Sequence, residues 1–185
     1  MNDVQLTKVV TGKVRFSYLH VWEPSAVEEG QEKKYSVSLI IPKSDKATLT
    51  AIKKAIEAAK EAGKAKFGGK VPATLKIPLR DGDVERPEDE SYEGSFFLNA
   101  NCKSKPGLVD KDCLPIMDQD LLYSGCFGRA SVTFYAFNTS GNKGIACGLN
   151  NLQKLKDGDS LGGRATAESD FGGAAMADDE DDFMG

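Results

Sequence analysis

Hydrophobic and polar positions along the first 160 residues alternate with the period of two expected of half-buried strands, broken once by a helical stretch. In GKVRFSYLHVW (12–22), Lys13, Arg15 and Ser17 alternate with Val14, Phe16 and Tyr18, after which Leu19 and Val21 take the opposite parity. That change of phase predicts a bulge or sharp bend near Tyr18, as a curved barrel strand requires, and Pro24 is expected to end the strand. In YSVSLII (35–41), Tyr35, Val37, Leu39 and Ile41 share one face and Ser36 and Ser38 the other, the pattern of a core strand. Leu49, Ile52, Ile56 and Ala59 then recur at three and four residues, predicting a helix capped by Ser44 and stopped at Gly63.

Residues 63–94 read as loop-rich around the short apolar run LKIPL. SFFLNANCK is the next strand, with Phe96, Leu98 and Ala100 inward and Phe97, Asn99 and Asn101 outward. GRASVTFYAFN follows, with Ala130, Val132, Phe134 and Ala136 inward and Arg129, Ser131, Thr133, Tyr135 and Phe137 outward. NTSGNKG is a turn and GIACGLN a last strand. Leu149, Leu152 and Leu155 in LNNLQKLKDGD suggest a short helical or turn segment. The pattern predicts a mainly β fold with one or two helices, a small closed or partly open antiparallel β-barrel, spanning residues 1–160.

Charge divides the chain. The whole protein carries a formal net charge of -4, yet its last 20 residues hold seven acids and no base, so the rest has 24 basic side chains against 21 acidic ones. Residues 161–185 read as a flexible Gly-rich linker and a disordered acidic tail, because Gly, Ala and acids bury too little apolar surface to offset ordering. The tail closes on Asp178, Asp179, Glu180, Asp181 and Asp182 followed by Phe183, a polyanion with an aromatic hook. The sequence has neither a signal-peptide pattern nor an apolar run of the ~18 residues a membrane span needs, so a soluble, cytoplasmic protein without membrane contact is expected. Cys102, Cys113, Cys126 and Cys147 are too widely spaced for a CxxC pair and read as reduced thiols, with no metal expected.

Single strands of nucleic acid are held by basic grooves that track phosphates and by rings on which bases stack. The chain interleaves both on its strands: Lys13, Arg15, Tyr18 and Trp22, then Lys33, Lys34 and Tyr35, then Arg129, Tyr135 and Phe137. These ten residues are the candidate DNA-binding set, and the strands around 13–22, 33–38 and 129–137 are expected to form the groove. Catalytic signatures are weak. The one histidine, His20, has no matching nucleophile motif, and no phosphate-cradling GxxxxGK[ST] or GxGxxG occurs, so no cofactor is expected. A second reading is a Mg²⁺-dependent nuclease or recombination enzyme using Asp110, Asp112, Asp118 and Asp120, and a third is a replication adaptor acting through its tail.

TGKVRFSYLHVWEP, KYSVSLIIPK, the stretch from GLVDKDCLPI to YSGCFGRASVTFYAFN, and GNKGIACGLNNLQKLKDG resemble the phage-encoded single-stranded DNA-binding proteins first catalogued as a domain of unknown function. The resemblance covers nearly the whole body. It implies an OB-type barrel that coats single-stranded DNA without sequence preference during phage replication and recombination in the bacterial cytoplasm. The tail is similar to those of single-strand binders that recruit replication or recombination proteins, although Met184 and Gly185 follow Phe183 here. Monomer and dimer both remain open.

Overall fold

The computed structural model describes residues 6–26 and 29–161. Apart from Leu161, the expected linker and tail, with Asp178 to Phe183, lie outside the described residues. Eight strands follow one another as β1 (Lys8–Val10), β2 (Val14–Ser25), β3 (Lys34–Pro42), β4 (Leu79–Asp81), β5 (Ser95–Cys102), β6 (Gly107–Val109), β7 (Phe127–Thr139) and β8 (Asn142–Lys156). Helices α1 (Lys46–Ala62) and α2 (Gly82–Glu85) and three short 3-10 turns lie between them.

Five strands close a ring in which β2 pairs with β3, β3 with β5, β5 with β8, β8 with β7 and β7 again with β2. This is the antiparallel barrel that the pattern predicts and the OB-like barrel that the resemblance implies, with one departure. The closing pair β5–β8 runs parallel, through Asn101 and Gly148, and so does β6 on β8. β1 extends the sheet beyond β7 and β4 beyond β5.

The barrel interior is filled from alternate positions: Val14, Phe16 and Val21 from β2, Val37, Leu39 and Ile41 from β3, Leu98 and Ala100 from β5, and Ala130, Val132, Phe134 and Ala136 from β7. The expected faces of β3 and β7 are therefore observed. The bulge expected at Tyr18 is also present. Between the pairs Ser17–Ser38 and His20–Ser36, β2 advances three residues while β3 advances two. Tyr18 absorbs the extra residue at φ 46°, in the left-handed region that non-glycine residues seldom occupy.

Helix α1 closes one side of the core with Leu49, Ile52, Ala55, Ile56 and Ala59. Its N-cap is Asp45 and not the expected Ser44: the Asp45 carboxylate accepts from Thr48 N–H at 3.2 Å, where a negative group also meets the positive end of the helix dipole. Gly63 ends the helix as expected, and any Cβ there would overlap the methyl of Ala136, so the absent side chain lets α1 sit directly on β7.

Three further expectations are corrected. Pro24 does not end β2, which runs to Ser25 and pairs there with Lys34. Phe97 is buried and Phe96 only half-buried, because the 90–92 turn lays Tyr92 over the outer face of β5. Ile40, Tyr92 and Phe97 then form a second small core, with Tyr92 and Phe97 edge to face at 5.1 Å. The segment containing LNNLQKLK is strand: β8 continues to Lys156. Ser131 pairs with Asn151 and Val132 with Leu149, so Asn150 is an extra, bulged residue. That bulge turns both Leu149 and Leu152 inward at a spacing of three, which imitates a helical pattern.

Candidate nucleic-acid interface

The outer face of β2, β3 and β5 forms a cleft of ≈ 850 Å³. Its floor is small and polar because the register sets Ser36 opposite Asn101 and Ser38 opposite Asn99. Lys34, His20, Tyr18 and Arg86 stand around this floor with Glu32, whose carboxylate is paired with Lys103 at 3.5 Å. The bulge on β2 lifts the Tyr18 ring out of the sheet, leaving the residue 52% exposed. On the other side of Tyr18 the cleft continues past Trp22, Tyr123, Ser124 and Leu161, where Asp89 and Asp120 make it more acidic. An exposed ring between a basic and an acidic arm can stack on a base, while phosphates are favoured on the side of Lys34 and Arg86.

The ten sequence-derived candidates separate into three places. Tyr18, Trp22 and Lys34 line the cleft. Trp22 is half-buried, with its indole N–H donating to Leu122 O at 3.0 Å and Lys105 Nζ 4.9 Å from its ring centroid. Lys33 is exposed just before β3 and Tyr35 is half-buried at its start, and neither lines the cleft.

Lys13 and Arg15 belong to a second cluster. Lys13, Arg15 and Lys156 lie 5.8, 5.3 and 5.9 Å from the centroid of Phe127. Three cations around one half-buried ring make a local basic patch. Arg15 also donates from Nε to Gly125 O at 3.0 Å and from Nη2 to Asp159 O at 2.8 Å, so it ties the start of the C-terminal segment to the barrel.

Arg129, Tyr135 and Phe137 lie on the outer face of β7, away from the lining of the cleft. Tyr135 is 45% exposed. Their phase is the one expected, but one continuous groove does not unite them with Tyr18. Arg129 Nε donates to Thr11 O at 2.9 Å, and Asn150 from the bulge of β8 donates to Thr133 Oγ1 at 2.9 Å on the same face. A side chain at Gly144 would approach Phe137 Cε1 to 3.0 Å, so the ring lies close against the neighbouring strand.

Sequence reasoning missed Arg86, Phe127 and Lys156. The first sits in a segment with no usable period. The other two lie at strand ends, where alternation over a few residues carries little signal.

The carboxylates considered for a metal are occupied with their own turns. Asp110 accepts from the N–H groups of Asp112 and Leu114, and Asp118 from that of Asp120. Among the described residues no three His, Cys, Asp or Glu side chains converge on a possible metal position. All four cysteines are free thiols, and burial pushes that of Cys147 strongly up. Among the described residues no helix is long and apolar enough to cross a membrane.

The C-terminal segment returns to the cleft. Tyr123 O–H donates to Asp157 at 3.1 Å, and Lys154 pairs with Asp157 at 2.6 Å; the ammonium first and the hydroxyl second hold this carboxyl below the usual carboxylate range. Leu161 N–H then donates to Ser124 O at 2.9 Å, and Leu161 packs on Ile40, Tyr92 and Phe97.

Solved structures with this fold include the single-stranded DNA-binding protein from bacteriophage Enc34 in complex with single-stranded DNA, at TM-score 0.76 and 24% identity over 84% of this chain and 90% of that one. Another structure of the Enc34 protein has TM-score 0.69 and 26% identity, covering 89% of each chain. The bacteriophage T7 single-stranded DNA-binding protein gp2.5 shares the fold at TM-score 0.60 and 15% identity, covering 92% of this chain and 98% of that one. Putative protein p50 of Acyrthosiphon pisum secondary endosymbiont phage 1 is 31% identical over an alignment of 185 positions that covers 94% of this chain and 97% of that protein. The model of the family described as Enterobacter phage Enc34, ssDNA-binding protein, matches residues 7–184, so the chain belongs to that phage single-stranded DNA-binding protein family.

Proposed function

We propose that this protein binds single-stranded DNA without sequence preference and serves phage DNA replication and recombination in the host cytoplasm. The family match over residues 7–184 carries this reading. The cleft supports it on independent physical grounds. A narrow floor of Ser and Asn beside an exposed ring fits unpaired bases, whereas a base buried in a duplex offers no free face for stacking. Binding of this kind involves no catalytic step, and no observation favours the nuclease reading, since Asp110 and Asp118 cap their own turns.

Residues 1–160 act as the binding domain and 161–185 as a linker and tail. The tail competes with DNA and recruits replication or recombination proteins through Asp178 to Asp182 and Phe183. Its point of departure supports the competition, because Leu161 lines the cleft beside Tyr18. Asp178 is 17 residues from Leu161 in sequence, a reach of at most roughly 60 Å, which is enough to bring the acids over the basic arm.

The test is fluorescence anisotropy with labelled single- and double-stranded oligonucleotides over a range of salt. Single strands should bind more tightly, and log affinity should fall linearly with log salt at about -0.7 per phosphate neutralised. Equal affinity for both forms, or a flat salt response, would overturn the proposal.

A further inference from the structure

Arg86 follows α2 directly and occupies an unusual position. Its guanidinium carbon lies 5.3 Å from the ring centroid of Tyr18, 5.1 Å from that of Tyr92 and 5.1 Å from that of Phe97. Tyr92 and Phe97 are buried and locked edge to face, and the Tyr92 hydroxyl donates to Ser38 Oγ at 3.0 Å. The cation is thus fixed by rings and not by a carboxylate. Among the described residues none of the ion pairs involves Arg86, although Glu85, Glu88, Asp89 and Glu90 surround it in sequence. Glu85 pairs with Arg80 at 2.8 Å, and Asp89 accepts from Ser91 N–H. Arg86 Nε is enclosed without a hydrogen-bond partner.

Arg86 lines the cleft, and a guanidinium whose orientation is set by rings and not by a carboxylate recognises phosphate oxygens through its Nη groups. We infer that Arg86 is a phosphate-binding residue of this cleft, holding the backbone linkage next to the base that stacks on Tyr18. The inference rests on the single-strand-binding reading and adds to it the residue that sets where the backbone runs. Four acids lie along the loop on one side of Arg86, and Lys34 stands on the other across the Ser and Asn floor, beside a Glu32 that is paired with Lys103. The strand is therefore directed along β3 and β5.

The inference is tested in the full chain with Arg86→Met, which keeps an apolar stem on the rings, and Arg86→Lys, which keeps the charge without the fork. Each is titrated with a thymidine oligonucleotide across salt concentrations, beside a thermal melt. Arg86→Met should bind roughly tenfold more weakly at low salt, as loss of a charge-assisted hydrogen bond implies. Its dependence of log affinity on log salt should be shallower by about 0.7, the loss of one phosphate contact. Arg86→Lys should keep the wild-type slope with reduced affinity. A wild-type slope in Arg86→Met would overturn the inference, as would tighter binding, which would mean that a carboxylate of the chain and not DNA is the anion at Arg86. If Arg86→Met does not fold, unchanged affinity in Arg86→Lys overturns it instead. Absence of strand binding by the wild-type protein would sink the parent reading as well.

Discussion

Phe134 and Tyr135 are neighbours on β7 and face opposite ways: Phe134 is 1% exposed inside the barrel, and Tyr135 is 45% exposed outside it. Truncating each should therefore give opposite signatures. Phe134→Ala should destabilise the protein by ~3–5 kcal/mol, as a large core truncation does. Tyr135→Ala should leave the melting temperature nearly unchanged, and if its ring stacks on bases it should weaken strand binding by ~1–3 kcal/mol. Thermal melts and anisotropy on both variants check this, and unchanged affinity in Tyr135→Ala would confine the binding surface to the cleft.

Tyr18 combines an exposed ring with a left-handed backbone. Glycine adopts φ 46° without steric penalty, which offsets its entropic cost and the lost contact with Arg86, so Tyr18→Gly should fold with stability within ~1 kcal/mol of the wild type, while losing ~1–3 kcal/mol of affinity with the ring. Tyr18→Val should be less stable than Tyr18→Gly, since a β-branched residue tolerates this conformation poorly. Chemical denaturation of the two variants orders them, and a more stable Val variant would show that the bulge does not need this conformation.

Asp157 and Asp83 both titrate below their ordinary value. Lys154 and then Tyr123 act on the first, and Lys43 and then the Gly94 N–H on the second. A carboxyl with a depressed folded-state pKa contributes stability that is complete above roughly pH 5 and is lost as pH falls through that folded value. Melting temperature should accordingly drop in acid. Asp157→Asn should melt below the wild type at pH 7, and the gap should narrow at pH 3. A gap independent of pH would mean that the Lys154–Asp157 pair contributes nothing through charge.

Leu161 lies beside the cleft and packs on Ile40, Tyr92 and Phe97, and the competition proposed for the tail is tested by removing it. Deleting residues 166–185 should tighten binding of single strands, most at low salt, where screening is weakest. Affinity measured for full-length and shortened chains at two salt concentrations decides the matter. Unchanged or weaker binding at both would leave the tail as a solubility device or an independent tether.

The sequence by itself determined which side of β3, β7 and α1 faces inward, because that depends only on local periods of two and 3.6 residues. It also placed the bulge at Tyr18, where the parity of apolar positions switches within one strand. Interleaved cations and rings, with the quoted strings, were enough to indicate a single-strand binder. Only the tertiary structure decided what lies over each face. Phe97 reads as an outward residue until Tyr92 covers it, and Leu149 and Leu152 read as helical until the bulge at Asn150, set by pairing with β7, turns both inward. The division of the candidates among the cleft, the Phe127 cluster and the outer face of β7 follows from closure of the barrel, and so does the meeting of Arg86 with Tyr18 across 68 residues of chain. Alternation records the neighbours of a residue along the chain, whereas a binding site is made by residues that closure of the ring brings together.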